Sequence, residues 1–179
     1  MPTAPEPLSG HHQTSDFSCG VAALDDWLKR RAAANQATGA SRTFVVCEGA
    51  AVVAYYALAS SAVTSAGTPG RFSRNIPDPI PVVVLGRLAI VESHQKCGLG
   101  RALFQDVARR VLHAASDIGI RGILVHALSD KAKTFYLHLG FEASPLDPMT
   151  LMVTLTDLRQ AINPNELPAG TLPSALLRT

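Results

Sequence analysis

The chain is short of most residues that would mark it as secreted, fibrous or disulfide-stapled. It has only three cysteines, Cys19, Cys47 and Cys97, and they lack the paired spacing of a metal site. An odd, scattered set of this kind is expected to be free thiols in a reducing compartment. Aromatic residues make up 6% of the chain, with Trp27 the single tryptophan. No apolar run reaches the roughly 20 residues that cross a bilayer. The opening stretch MPTAPEPLSGHHQTSDFSCG has no basic region followed by an apolar one, which argues against a secretory signal. Charge of one sign is scarce as well. Sixteen Lys and Arg against fourteen Asp and Glu leave a net charge of +2, so any nucleic-acid contact must rest on local patches. A soluble, cytoplasmic protein with no bound metal and no membrane contact is expected. His11 and His12 read as solvated loop residues.

What is present is a substantial core. Hydrophobic residues make up 47% of 179 positions, which excludes a disordered chain and suffices for one domain. That domain is expected over residues 1–161. Residues 162–179 hold Pro164, Pro168 and Pro173 without periodic pattern and read as an unstructured tail.

GVAALDDWLKRRAAANQ (20–36) sets Leu24, Trp27 and Leu28 at helical spacing beside Lys29, Arg30 and Arg31, and Gly39 ends the pattern. Residues 41–49 and 51–63 read as a hairpin turning at Glu48, Gly49 and Ala50. Residues 64–80, broken by Pro69, Pro77 and Pro79, read as a long loop of the functional or mobile kind. PVVVLGRLAIV (81–91) is a buried strand in which Gly86 predicts a bulge or a close backbone approach. A helix over 99–116 buries Leu103, Phe104, Val107, Val111 and Leu112, with Gln105, Asp106, Arg109, Arg110 and His113 on the other face. A strand follows at 121–129, then a short helix at 130–141 capped by Asp130 and ended by Gly140, then a last strand at 149–158. This order predicts a mixed α/β sheet with helices on both faces.

HQKCGLGRALF (94–104) places two glycines one residue apart before a helix. A helix N-terminus offers unpaired N–H groups and a partial positive charge, and glycine lets the backbone approach an anion. No Gly-Lys-Ser/Thr follows, so this is not a P-loop, and there is no third glycine for a dinucleotide fingerprint. Taken alone, the pattern fits a plain strand-to-helix turn equally well.

The run Gln95-Lys96-Cys97-Gly98-Leu99-Gly100 resembles the Gln/Arg-x-x-Gly-x-Gly/Ala signature of the GNAT acetyltransferase superfamily. AKTFYLHLGF (132–141) looks like that family's A-x-x-F-Y-x-x-x-G-F motif. The resemblance implies a GNAT fold, with a central, mostly antiparallel sheet splayed at strands 4 and 5. It implies acetyl-coenzyme A as cofactor, its pyrophosphate held by Gln95, Lys96, Cys97, Gly98, Leu99, Gly100 and Arg101. The pantetheine arm would meet the backbone of Leu88, Ala89 and Ile90. Ser129 stands where many members carry an asparagine and is the substitute contact. FSCGVAALDDWLKRRAAANQATGASRTFVVC (17–47) is similar to the start of the GNAT toxins of bacterial toxin–antitoxin pairs. That likeness, over about residues 8–158, implies acetylation of the α-amino group of aminoacyl-tRNA, a ribbon-helix-helix antitoxin as partner, and a homodimer.

Acyl transfer to an amine needs a neutral nucleophile and a proton for the departing thiolate. Tyr136 is the candidate acid. Adjacent helix positions point about 100° apart, so Phe135 is assigned to the core and Tyr136 to the cleft. No general base stands out. Glu92, His126 and His138 each have a plainer solvated or structural reading. An α-amine titrating near ~8 is partly neutral without help. Cys97 has no paired histidine nearby in sequence and reads as loop filler. Lys29, Arg30, Arg31, Arg42 and Arg87 are the expected tRNA contacts, with Arg71, Arg74, Lys131 and Lys133 as further positive charges. Trp27 reads as a core anchor. Two other functions fit the same residues: a GNAT enzyme for a small amine or a protein N-terminus, and a non-catalytic acyl-coenzyme A-binding module.

Overall fold

The computed structural model describes residues 1–162. The elements run β1 (Glu6–Pro7), α1 (Ala22–Arg30), α2 (Ala32–Thr38), β2 (Arg42–Glu48), β3 (Ala51–Val63), α3 (Gly70–Ser73), β4 (Ile80–Ile90), α4 (Leu99–Ala114), β5 (Gly122–His126), α5 (Asp130–His138), β6 (Glu142–Ala143), β7 (Thr150–Thr154) and α6 (Leu155–Ile162). The strands form one seven-stranded sheet in the order β1-β2-β3-β4-β5-β7-β6. The pairs β1 with β2, β2 with β3, β5 with β7, and β6 with β7 are antiparallel. The chain packs as two compact units, residues 1–59 with 85–107, and residues 60–84 with 108 onward.

In the first unit the expected hairpin is present, and Gly49 supplies the left-handed turn at φ 61°. The helix expected over 20–36 is two helices. Arg31, at φ −119° and ψ −33°, breaks the run between α1 and α2, and Gly39 closes α2 in the left-handed conformation. Leu24, Leu28 and Ala32 bury against Phe17, Val45 and Tyr55. The Tyr55 hydroxyl donates to the Leu24 carbonyl at 2.7 Å, which pins α1 to β3. Trp27 is the expected anchor. Half-buried, it stacks on the Tyr55 ring with centroids 5.9 Å apart and planes 10° from parallel.

One expectation for this unit fails. His12 is not solvated: its side chain is 2% exposed, and its ring lies 2.8 Å from Glu6 Oε1, because the β1 strand folds the N-terminus onto β2. Asp106, expected on the polar face of α4, is half-buried, and its carboxylate accepts from the Tyr56 hydroxyl. Gly86 lies within β4, and a Cβ there would meet nothing within 4 Å, so no close approach by a described residue explains it.

In the second unit the stretch 64–80 is not a plain loop. A 3₁₀ turn (Ser65–Gly67) and α3 interrupt it, and Phe72 is 2% exposed against Ile80, Val82, Leu124 and Met152. Asp78 ties its ends by accepting from Ser65 N–H and Oγ–H, each at 2.7 Å. Arg121 donates to the Phe72 and Arg71 carbonyls at 2.7 and 2.9 Å. Gly122 is required by space, since a Cβ there would stand 2.0 Å from the Val153 carbonyl oxygen. The strand expected over 149–158 ends at Thr154, whose hydroxyl accepts from Asp157 N–H and starts α6. The expected tail begins as the end of that helix, and residues 163–179 lie outside the described residues. No helix among the described residues is long and apolar enough to cross a membrane.

Candidate active site

The loop between β4 and α4 is built from its backbone. β4 ends at Ile90, and Val91 N–H donates to Val53 C=O at 2.9 Å. A 3₁₀ turn (Glu92–His94) follows. Lys96 (φ 61°) and Gly98 (φ 85°) are then both left-handed. Ala102 N–H bonds to Gly98 C=O at 3.2 Å, which starts a sixteen-residue helix on Gly98. Left-handed residues interleaved with ordinary ones turn successive N–H groups toward one point, and the helix start adds its own unpaired amides. A Cβ on Gly98 would meet nothing within 4 Å, so the space in front of the loop is open. Lys96, Cys97 and Gly98 are exposed, and Leu99 and Gly100 half-buried. A loop of this geometry can present its amides to an anion, and the residues present fit the diphosphate of coenzyme A. Arg101 is exposed at the start of α4.

Gln95 behaves differently from its neighbours. Its side-chain amide donates to the carbonyls of Cys19 and Ile90, both at 2.8 Å. Of the expected pantetheine contacts, Ala89 is buried, Leu88 and Ile90 are half-buried, and the Ile90 carbonyl is already taken by Gln95. The Cys97 thiol donates to His94 C=O, while Cys19 and Cys47 are buried, and all three thiols are free. Burial pushes the Cys19 thiol up to about 11. Glu92 is exposed and accepts from Ser18 at 3.4 Å.

Ser129, not Asp130, caps α5, accepting from Ala132 N–H at 3.1 Å. Asp130 already lies inside the helix, one residue too late to cap it. The expected split, Phe135 in the core and Tyr136 in the cleft, does not hold for the rings: Tyr136 is the more buried of the two, although its hydroxyl is not among the buried unpartnered polar atoms. Phe135 is half-buried and Tyr136 is 8% exposed, its ring edge-on to Phe135 at 5.2 Å and to Phe141 at 5.3 Å. The helix is only nine residues long, and its turn at Gly140 (φ 97°) brings Phe141 back over Tyr136. Among the described residues nothing hydrogen-bonds the phenol, and burial alone pushes it up to about 12.

Lys29, Arg30, Arg31 and Arg42 are all exposed. Lys29 and Arg42 line one groove of about 570 Å³ with Ser9, His12 and Gln36. Arg87 is not a free charge: it is half-buried, its guanidinium 5.2 Å from the Trp27 ring centre and bonded to Gly86 C=O at 2.8 Å. Arg71 is paired with Asp157. Glu6, His11 and His12 stand close enough together to share one cation. However, Ser9 N–H donates to His12 Nδ1 at 3.0 Å, which puts the ring proton on Nε2, facing Glu6. That nitrogen offers no lone pair to a metal.

The acetyltransferase (GNAT) domain profile matches residues 39–143. The chain belongs to the GNAT acetyltransferase family. Among full-length GNAT relatives, a tRNA-acetylating toxin of Mycobacterium tuberculosis is 48% identical over 160 residues, covering 89% of this chain and 96% of its own. Among solved GNAT structures, AtaT complexed with acetyl-methionyl-tRNAfMet superposes with a TM-score of 0.82 at 30% identity, over 89% of this chain and 98% of its own. A tyrosine-to-phenylalanine variant of AtaT, bound to the C-terminus of the antitoxin AtaR and acetyl-CoA, gives 0.77 at 29% identity, over 89% and 96%. The motif Gln95–Gly100 falls inside the matched residues, at the turn between β4 and α4. The hydrogen bonds that fix Gln95, Tyr55 and Tyr56 could not be read from sequence, because their partners are backbone carbonyls or lie dozens of residues away.

Proposed function

We propose that this chain transfers acetyl from acetyl-coenzyme A to the α-amino group of aminoacyl-tRNA and acts as the toxin of a toxin–antitoxin pair. The observation that carries the reading is the left-handed pair Lys96 and Gly98 ahead of α4, in a chain alike over nearly its whole length to a tRNA-acetylating toxin. The amides from Lys96 to Gly100 hold the diphosphate by direct N–H donation, with Arg101 alongside. Backbone at Leu88 and Ala89 and the hydroxyl proton of Ser129 receive the pantetheine arm.

When bound, acetyl-coenzyme A supplies an acyl group activated as a thioester. The α-amine, near ~8 when free, attacks as the neutral species, so no general base is required. Tyr136 keeps its proton at every physiological pH and gives it to the departing sulfur. The amine nitrogen releases one proton to solvent as the amide forms, and solvent returns one to the phenol. Lys29, Arg30, Arg31 and Arg42 meet phosphates of the acceptor end. A ribbon-helix-helix antitoxin as partner, a homodimer and a cytoplasmic setting belong to the same proposal.

Purified protein given labelled acetyl-coenzyme A should label charged tRNA and leave uncharged tRNA untouched. Labelling of a small amine with charged tRNA left unmodified would replace this reading with that of a metabolite acetyltransferase.

A further inference from the structure

The phosphate loop and the segment leading into α1 lie more than seventy residues apart in sequence, yet they are stitched together. Gln95 has two amide protons, and both are used: one goes to Cys19 C=O and one to Ile90 C=O, each at 2.8 Å. The side chain therefore has no donor left for an anion. Beside it, Glu92 N–H donates to Ser18 C=O at 3.0 Å, and the Glu92 side chain lies against Gly20 (φ 89°), its carboxyl carbon 3.7 Å from where a Cβ would stand. From Cys19 the connection continues into the helix, because Cys19 N–H donates to Asp25 Oδ1 at 2.9 Å in the first turn of α1. The other end of α1 carries Lys29 and Arg30.

We propose that Gln95 is a positioning residue whose side-chain amide ties the diphosphate loop to the entry of α1, so that the cofactor loop and the basic helix hold one fixed geometry. This rests on the functional reading above for what binds each part. Gln95 touches neither substrate. It sets the end of β4 and the 18–20 segment against each other, and Asp25 passes that setting to the helix.

The test is bisubstrate kinetics on Gln95→Met, close in size but unable to donate, and on Gln95→Arg, whose guanidinium can donate to both carbonyls. For Gln95→Met we expect KM to rise about tenfold for acetyl-coenzyme A and for charged tRNA alike, with kcat little changed; two lost hydrogen bonds suffice for that. Gln95→Arg should restore both. Should Gln95→Met not fold, Asp25→Ala serves instead, and it should raise the acetyl-coenzyme A KM although Asp25 contacts no part of the loop. A rise confined to acetyl-coenzyme A, or no rise in either, overturns the proposal. Amide hydrogen exchange separates this from failure of the functional reading. In wild-type protein, coenzyme A should protect residues 18–20 as well as the loop, and in Gln95→Met the loop alone. That result holds whichever amine is the substrate, and equal protection in both proteins sinks the tie by itself.

Discussion

Tyr136→Phe removes one oxygen and leaves the ring. The ring contacts, edge-on to Phe135 at 5.2 Å and to Phe141 at 5.3 Å, survive the change. The hydroxyl makes no hydrogen bond to any described residue, and burial pushes its pKa up to about 12. The hydroxyl is not among the buried unpartnered polar atoms, so water can reach it, and its removal should leave stability little changed. A general acid is worth about 10²- to 10⁴-fold in rate, or roughly 3–5 kcal/mol of barrier. The two effects therefore separate cleanly. Initial rates of acetyl transfer to charged tRNA should fall by about 10²-fold or more, while the melting temperature holds. A phenol that titrates near 12 also gives the wild-type enzyme no loss of rate from its own ionisation at neutral or mildly alkaline pH. Activity within threefold of wild type would remove Tyr136 from the mechanism, and a large drop in melting temperature would show that the oxygen is structural.

Other outcomes follow from the same geometry. Gly122→Ala should destabilise the protein by about 3 kcal/mol or more, since overpacking costs 1–3 and here the obstacle is the Val153 backbone; chemical denaturation measures it. Tyr136 is buried in its neutral form, so its contribution to stability is complete below pH ~10, the unfolded value, and is lost as pH rises through about 12. Tyr136→Phe should flatten that part of the alkaline unfolding curve. Of the three thiols only Cys97 is exposed, so a maleimide should modify one equivalent quickly in the native protein, and coenzyme A should slow that reaction; fast labelling of Cys19 or Cys47 would contradict their burial. Replacing Lys29 and Arg31 together by Ala should weaken charged-tRNA binding and lower its salt dependence by about two counterions, read from affinity against salt concentration.

The parts of the fold that show in sequence are those fixed by local rules. The hairpin turn at Gly49, the stop at Gly39 and the loop ahead of α4 each follow from a glycine needed for positive φ and from flanking periodicity. The break at Arg31 was not legible, because residues 20–36 keep a helical pattern through a residue whose backbone departs from the helix only modestly. The β1 strand is two residues long, too short to show alternation, and it took the pairing with β2 to bury His12. α6 was hidden because β7 is buried at every position from Thr150 to Thr154 and runs directly into an amphipathic turn without a breaker. The glycine turn ahead of α4 was legible as a motif. The orientation of Tyr136 was not, since Phe135 and Tyr136 are both aromatic and only the return of Phe141 decides which ring is covered.

The two ends of the sheet carry a further consequence. β1 and β6, the outermost strands, are each two residues long, and β1 includes Pro7, which has no N–H to give. A partner that recognised this protein by laying its own backbone alongside would find almost no ladder to extend. Among the described residues, the proposed antitoxin or second copy would then be read through side chains, and such recognition can drift with surface substitutions while the sheet stays the same.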